Sequence, residues 1–218
     1  MKISPRSIRA IVMCTWLSLL LGAHVTAGND FVSAPSITPK PNVPSVPSPL
    51  IGLPKAMKAM PAVSRAYTDV VKILEEDSDC SRFFGGTEVA TGVLNKMAAR
   101  LTVASLDNPM VGIRMQGDIG NVTNFRTGHS YRLFEKVVVN SYGPFANLIN
   151  RGRTFAGSYP ASSRRGRALM LLHELAHLMK GPNGEWLIPD DGGGRNSMLS
   201  LRNTETIERV CRGRMKFI

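Results

Sequence analysis

His173-Glu174-Leu175-Ala176-His177 sets two imidazoles four positions apart, with a carboxylate beside the first. On a helix, positions i and i+4 lie one turn apart on the same face, so both rings can reach one ion. Zinc takes neutral imidazole nitrogen at about 2.0–2.1 Å and favours four ligands in a tetrahedron. Glu174 then stands close enough to exchange a proton with an activated water without ligating the metal. The chemistry predicted is metal-assisted hydrolysis: His173 and His177 as metal ligands, Glu174 as catalytic base, Zn2+ as cofactor.

The elements that must position these groups come next. Arg165–Lys180 reads as a helix, because Ala168, Leu169, Leu171, Leu172, Leu175, Ala176, Leu178 and Met179 are strong helix formers with no breaker among them. A helix apolar nearly all round is a buried one. Two histidines and a glutamate inside it would be costly without a metal or hydrogen bonds to satisfy them. Gly181-Pro182 supplies the stop.

Catalytic zinc commonly takes a third protein ligand and leaves the fourth position open. The metzincin extension needs glycine and histidine where this chain has Lys180 and Asn183, so that pattern fails. Glu205 or Glu208, on a following helix, could serve as a glutamate ligand of the thermolysin-like kind. Both also suit a helix's first turn, where acidic residues favour the dipole. Asp190-Asp191, ahead of Gly192-Gly193-Gly194, offers an aspartate from a loop folded back over the motif helix, and equally suits a solvated turn. His129 reads as a surface or supporting residue.

The amino terminus has the form of an export signal over residues 1–27: Lys2, Arg6 and Arg9, then the apolar run Ala10 to Gly22, then Val25-Thr26-Ala27. The run is short for a membrane span, and no other segment is long enough, so an exported chain, periplasmic or extracellular, is expected without an integral span. Two cysteines then remain, Cys80 and Cys211. In an oxidising compartment they suggest one disulfide; the alternative is zinc ligation, which lacks any C-x-x-C spacing here. Residues 28–62 form a linker or propeptide, since Ala34 to Pro61 carries eight of the fourteen prolines and no periodic apolar pattern.

Residues 63–218 are the right size for one domain. The patterns predict helices over Val63–Glu76 and Thr87–Ala104, the second with Val89, Val93, Leu94, Met97 and Leu101 on one stripe. Short strands are predicted over Met110–Met115 and Lys136–Asn140. After the motif helix come a glycine-rich loop, Pro189–Asn196, and a closing helix, Asn203–Arg212, with Asn203 as N-cap. Helix, strands, then helices make an α+β domain with a small sheet.

A wider series also stands in the sequence: Cys80-Ser81-Arg82-Phe83-Phe84-Gly85-Gly86, then Arg167 through His177, then Asp191-Gly192, Asn203-Thr204 and Cys211. It resembles a group of exported bacterial proteins that carry an H-E-L-G/A-H helix, within the zincin-type zinc metallopeptidases. The resemblance spans most of Cys80 to Cys211. It implies a zincin-like catalytic domain, an aspartate ligand that maps onto Asp191, and a bridge between Cys80 and Cys211. The chain departs from the group by a longer spacing after His177, with Pro182 to Pro189 inserted.

The function expected is therefore a secreted metallopeptidase, cleaving a peptide or protein substrate with a zinc-activated water. Lys136–Asn140 is a candidate edge strand for an extended peptide, and Tyr131, Tyr142 or His129 are candidates to stabilise the oxyanion. An exported binding protein, zinc-containing or metal-free, and a zinc hydrolase of a non-peptide cell-wall bond are the alternatives. The formal charge is +11, and removing the three positive residues of the signal leaves +8. Clusters at Arg151–Arg153 and Arg164-Arg165-Arg167 can favour an anionic cell-envelope polymer, lipid headgroups or nucleic acid as a partner, and more commonly form a solvated basic surface. No nucleic-acid module is present, and aromatic residues are too sparse for a stacking platform.

Overall fold

Pro61, Ser78 and Ser163 mark the starts of three helices. The computed structural model describes residues 55–146, 154–192 and 197–218. The expected signal, most of the linker, the Arg151–Arg153 cluster and residues 193–196 of the glycine-rich loop lie outside the described residues. Helix α1 spans Lys55–Ala59 and α2 Pro61–Leu74, with Pro61 in its first turn, where the missing N–H costs nothing. Helical structure thus starts inside the stretch read as linker, ahead of Val63, and Met57 is buried in the core. The prolines thin out after Pro54, and Ala, Met and Lys favour a helix there. Helix α3, Asp79–Phe83, opens with a capping box in which Ser78 and Ser81 satisfy each other's backbone N–H.

Helix α4 runs Thr87–Ala98, six residues shorter than the pattern suggested. Val89, Val93, Leu94 and Met97 do form its buried stripe. Leu101 instead opens strand β1, Leu101–Ala104, which pairs in parallel with strand β3, Ser130–Asn140. The β-branched Thr102 and Val103 fit a pleated surface better than another helical turn. Strand β2, Ile113–Thr123, runs antiparallel to β3 and is much longer than Met110–Met115. A register shift between Asp118 and Gly120 bends it, with Gly117 and Gly120 at positive φ.

The sheet order is β1-β3-β2, so β3 is the central strand. This overturns the expectation of an edge strand at Lys136–Asn140: those residues pair with β1 on one side and β2 on the other. The run Val137-Val138-Val139 is buried throughout, as suits a strand covered on both faces.

Two short strands, β4 (Phe155–Ala156) and β5 (Tyr159–Pro160), form a ribbon that leads into helix α5, Arg164–Leu178. Ser163 caps α5 by accepting from Gly166 N at 3.0 Å. Gly166 is needed for space: a Cβ would stand 2.2 Å from the Pro160 carbonyl oxygen. The helix ends two residues earlier than expected. Met179 turns extended and bridges Tyr131, while Lys180 bridges Trp186, so the segment between Lys180 and Trp186 closes as a tight hairpin. Helix α6 spans Ser197–Met215 and packs on α5. Asn203 is therefore inside α6 and not its N-cap.

The described residues thus build six helices, a three-stranded mixed sheet and a two-stranded ribbon, an α+β arrangement. None of these helices is long and apolar enough to cross a membrane. Leu169, Leu171, Leu172 and Leu175 of α5 are fully buried, each worth about 1.5–3 kcal/mol of burial. Cys80 of α3 and Cys211 of α6 form a disulfide across 131 positions. Neither cysteine is therefore a zinc ligand.

Candidate metal centre

Helix α5 carries His173 and His177 on one face, and the loop before α6 brings Asp191 to them. His173 and Asp191 are each 6% exposed, so the carboxylate and the first imidazole meet out of water. The Nε2 atoms of the two histidines lie 3.0 Å apart. Asp191 Oδ2 lies 3.2 Å from His173 Nε2 and 3.6 Å from His177 Nε2. A tetrahedral ion at about 2.0–2.1 Å holds its ligand atoms roughly 3.3–3.4 Å apart. The three atoms therefore fit one face of such a tetrahedron, and the group could hold a metal ion.

Charge favours a cation there. Burial alone would raise the Asp191 carboxyl; the hydrogen bond from His173, the nearby His177 ring and the contact with Ser200 outweigh it and hold the group well below the usual carboxylate range. Burial lowers the affinity of His177 for a proton, but Asp191, with the charges of Glu174 and Asp190, raises it further than burial lowers it. Protons and a metal ion compete for the same lone pairs. Glu174 is partly exposed, yet the protein packed around it pushes its carboxyl up, against the opposing pull of His173 and His177. A carboxyl raised this way moves toward the range in which a general base works at neutral pH.

The other candidates stand elsewhere. Asp190 is exposed and accepts from Gly192 N at 2.8 Å, closing the turn that aims Asp191. Glu205 is exposed on α6. Glu208 is buried, but its carboxylate accepts from Ser158 N at 2.9 Å, from the Ser158 hydroxyl and from Arg212. His129 packs against Gly85, with Nδ1 3.0 Å from the Thr127 carbonyl oxygen. Tyr131 is buried and Tyr142 is 68% exposed. Among the described residues, no other His, Cys, Asp or Glu joins the group of three.

Sequence reasoning missed the polar face of α6. Ser200, Asn203 and Thr204 follow an i, i+3, i+4 spacing, which puts them on one side of a helix. Ser200 bonds to Asp191, Asn203 Nδ2 donates to the Pro189 carbonyl at 2.9 Å, and Thr204 Oγ1 lies 3.0 Å from His173 Nδ1. That spacing was readable once the helix start was known to be Ser197.

The basic cluster at the start of α5 is partly spent on structure. Arg164 grips buried Asp69 through two bonds, of 2.8 and 2.6 Å, and Arg167 donates to the Phe145 carbonyl at 2.8 Å. Compared with known families, curated proteins and solved structures, the chain matches no family model, no curated protein and no solved structure.

Proposed function

We propose that this protein is an exported zinc-dependent hydrolase of the zincin type that cleaves peptide bonds. The observation that carries this reading is the spacing of His173 Nε2, His177 Nε2 and Asp191 Oδ2, which suits one face of a tetrahedral site, with Glu174 next to it in sequence and in charge. Zinc, when bound, supplies Lewis-acid chemistry: it acidifies water and polarises a carbonyl.

The protein's own groups have separate tasks. His173 and His177 present imidazole lone pairs, and Asp191 adds negative charge that offsets part of the cation's. Glu174 takes the proton that water must lose to attack a carbonyl, and returns it to the leaving amine. With no fourth His, Cys, Asp or Glu joining the group among the described residues, the site keeps a position open for water or substrate, as catalytic rather than structural zinc sites do. An extended peptide that pairs by backbone has β1 or β2 as its edge, since β3 is covered on both sides.

Hydrolysis of casein and of a peptide library by the wild-type chain, beside Glu174→Gln, tests the reading. Cleavage that depends on Glu174 supports it. Cleavage by the variant at the wild-type rate would contradict it, and cleavage of cell-wall fragments alone would move the substrate to a non-peptide bond.

A further inference from the structure

We infer that Thr204 is a positioning residue of the metal centre, which holds His173 in the tautomer that can ligate a metal. The inference rests on the zinc reading above and concerns a residue outside the three ligands. A neutral imidazole carries one proton, on Nδ1 or on Nε2, and binds a metal through the nitrogen that lacks it. In His173 the inward nitrogen is Nε2, which faces His177 Nε2 at 3.0 Å and Asp191 Oδ2 at 3.2 Å. Its other nitrogen, Nδ1, faces the hydroxyl of Thr204 at 3.0 Å.

Which partner donates follows from the second bond of that hydroxyl. Thr204 Oγ1 donates its single proton to the Ser200 carbonyl oxygen at 2.8 Å, one turn back along α6. With that proton committed, the oxygen can only accept, so the proton between it and His173 belongs to Nδ1. Nδ1 then keeps its proton when a metal ion displaces the one between Nε2 and Asp191, and the Nε2 lone pair points at the other two ligand atoms. The opposite tautomer would set two acceptors against each other at Nδ1 unless the hydroxyl gave up Ser200. Many metal-binding histidines are fixed by a carboxylate or a backbone carbonyl on the second nitrogen. Here a hydroxyl whose own proton is tied to the helix backbone does the same work.

The position of Thr204 is itself secured. Cys211 lies two turns further along α6 and is bonded to Cys80, and Asn203 holds the Pro189 carbonyl beside it. The same helix face therefore addresses His173 through Thr204 and Asp191 through Ser200.

The test uses the full chain, stripped of metal by chelation and titrated with zinc against a chromophoric competitor. Thr204→Val keeps the shape and removes the acceptor; Thr204→Ser keeps the acceptor. The expected result is zinc binding about 10–100-fold weaker in the valine variant, with affinity restored in the serine variant. The metal-free valine variant should stay folded, with a thermal midpoint lowered no further than the loss of a part-buried hydrogen bond explains. Should the valine variant fail to fold, Thr204→Ala takes its place with the same expectation. Nitrogen chemical shifts of the zinc-loaded wild type should show the His173 proton retained on Nδ1. Wild-type binding with equal affinity in the valine variant, or a serine variant as weak as valine, would overturn the role of Thr204 alone. A folded wild-type chain that binds no zinc would overturn the metal reading and this inference together.

Discussion

Asp191 Oδ2 lies 3.2 Å from His173 Nε2, although it reaches the site from a loop eighteen positions further along the chain. A carboxylate so buried is held there by partners, and here the partners are the two histidines and Ser200. Its neighbour Asp190 points to solvent and shapes the turn. Asp191→Asn should therefore weaken zinc binding by more than the roughly 10–100-fold typical of outer-sphere changes, whereas Asp190→Asn should bind close to wild type. Competitive zinc titration of the two variants separates these roles, and equal losses in both would be inconsistent with a single aspartate ligand.

Glu174→Gln should keep zinc and lose turnover. The amide preserves size and removes the base, and proton transfer by such a group contributes about 10²–10⁴-fold. Metal content and the rate of peptide hydrolysis, measured on the same preparation, check both halves of that expectation.

The bridge between Cys80 and Cys211 closes a loop of 131 positions. In the chain-entropy model a closure of that length stabilises by about 5 kcal/mol, less any native strain. Cys80→Ala with Cys211→Ala should lower the thermal midpoint accordingly and should loosen α6, which carries Ser200 and Thr204. Chemical denaturation of the double variant reads the first effect, and its zinc affinity reads the second.

Glu208 gives the fold an acid-sensitive contact. Burial would raise its carboxyl, but the bonds from Ser158 N, the Ser158 hydroxyl and Arg212 lower it below the ordinary value. A folded-state value depressed in this way contributes stability that is fully present above the unfolded value, about 4.3. That contribution is lost as pH falls through the lower folded value. Thermal midpoints measured from pH 6 downward should fall in wild type, and Glu208→Gln should show a flatter acid limb. An unchanged limb in the variant would remove Glu208 from the account of acid stability.

Much of the site was legible because its signals are local. The i, i+4 histidines and the apolar run around them sit within one helix, and local periodicity reports such an element directly. The disulfide was readable from two remaining cysteines. Strand order was not, because pairing of β3 on both sides depends on Leu101–Ala104 leaving a helical pattern to join it. Strand β2 was underestimated for a different reason. Most of its side chains face water, and Gly117 and Gly120 interrupt the alternation that marks a half-buried strand. The roles of Asn203 and Thr204 depend on where α6 starts, and Ser197 lies next to a glycine-rich stretch in which nothing local fixes a boundary. Thr204 and His173 are 31 positions apart, and their contact comes from the packing of α6 on α5.

The central claim is that His173, His177 and Asp191 hold a metal ion. Elemental mass spectrometry of the purified full chain, beside His177→Ala, tests it most directly. The account predicts about one zinc per wild-type chain, as a single catalytic site requires, and its loss in the variant. A folded wild-type chain that carries no zinc after gentle purification and zinc repletion would contradict it.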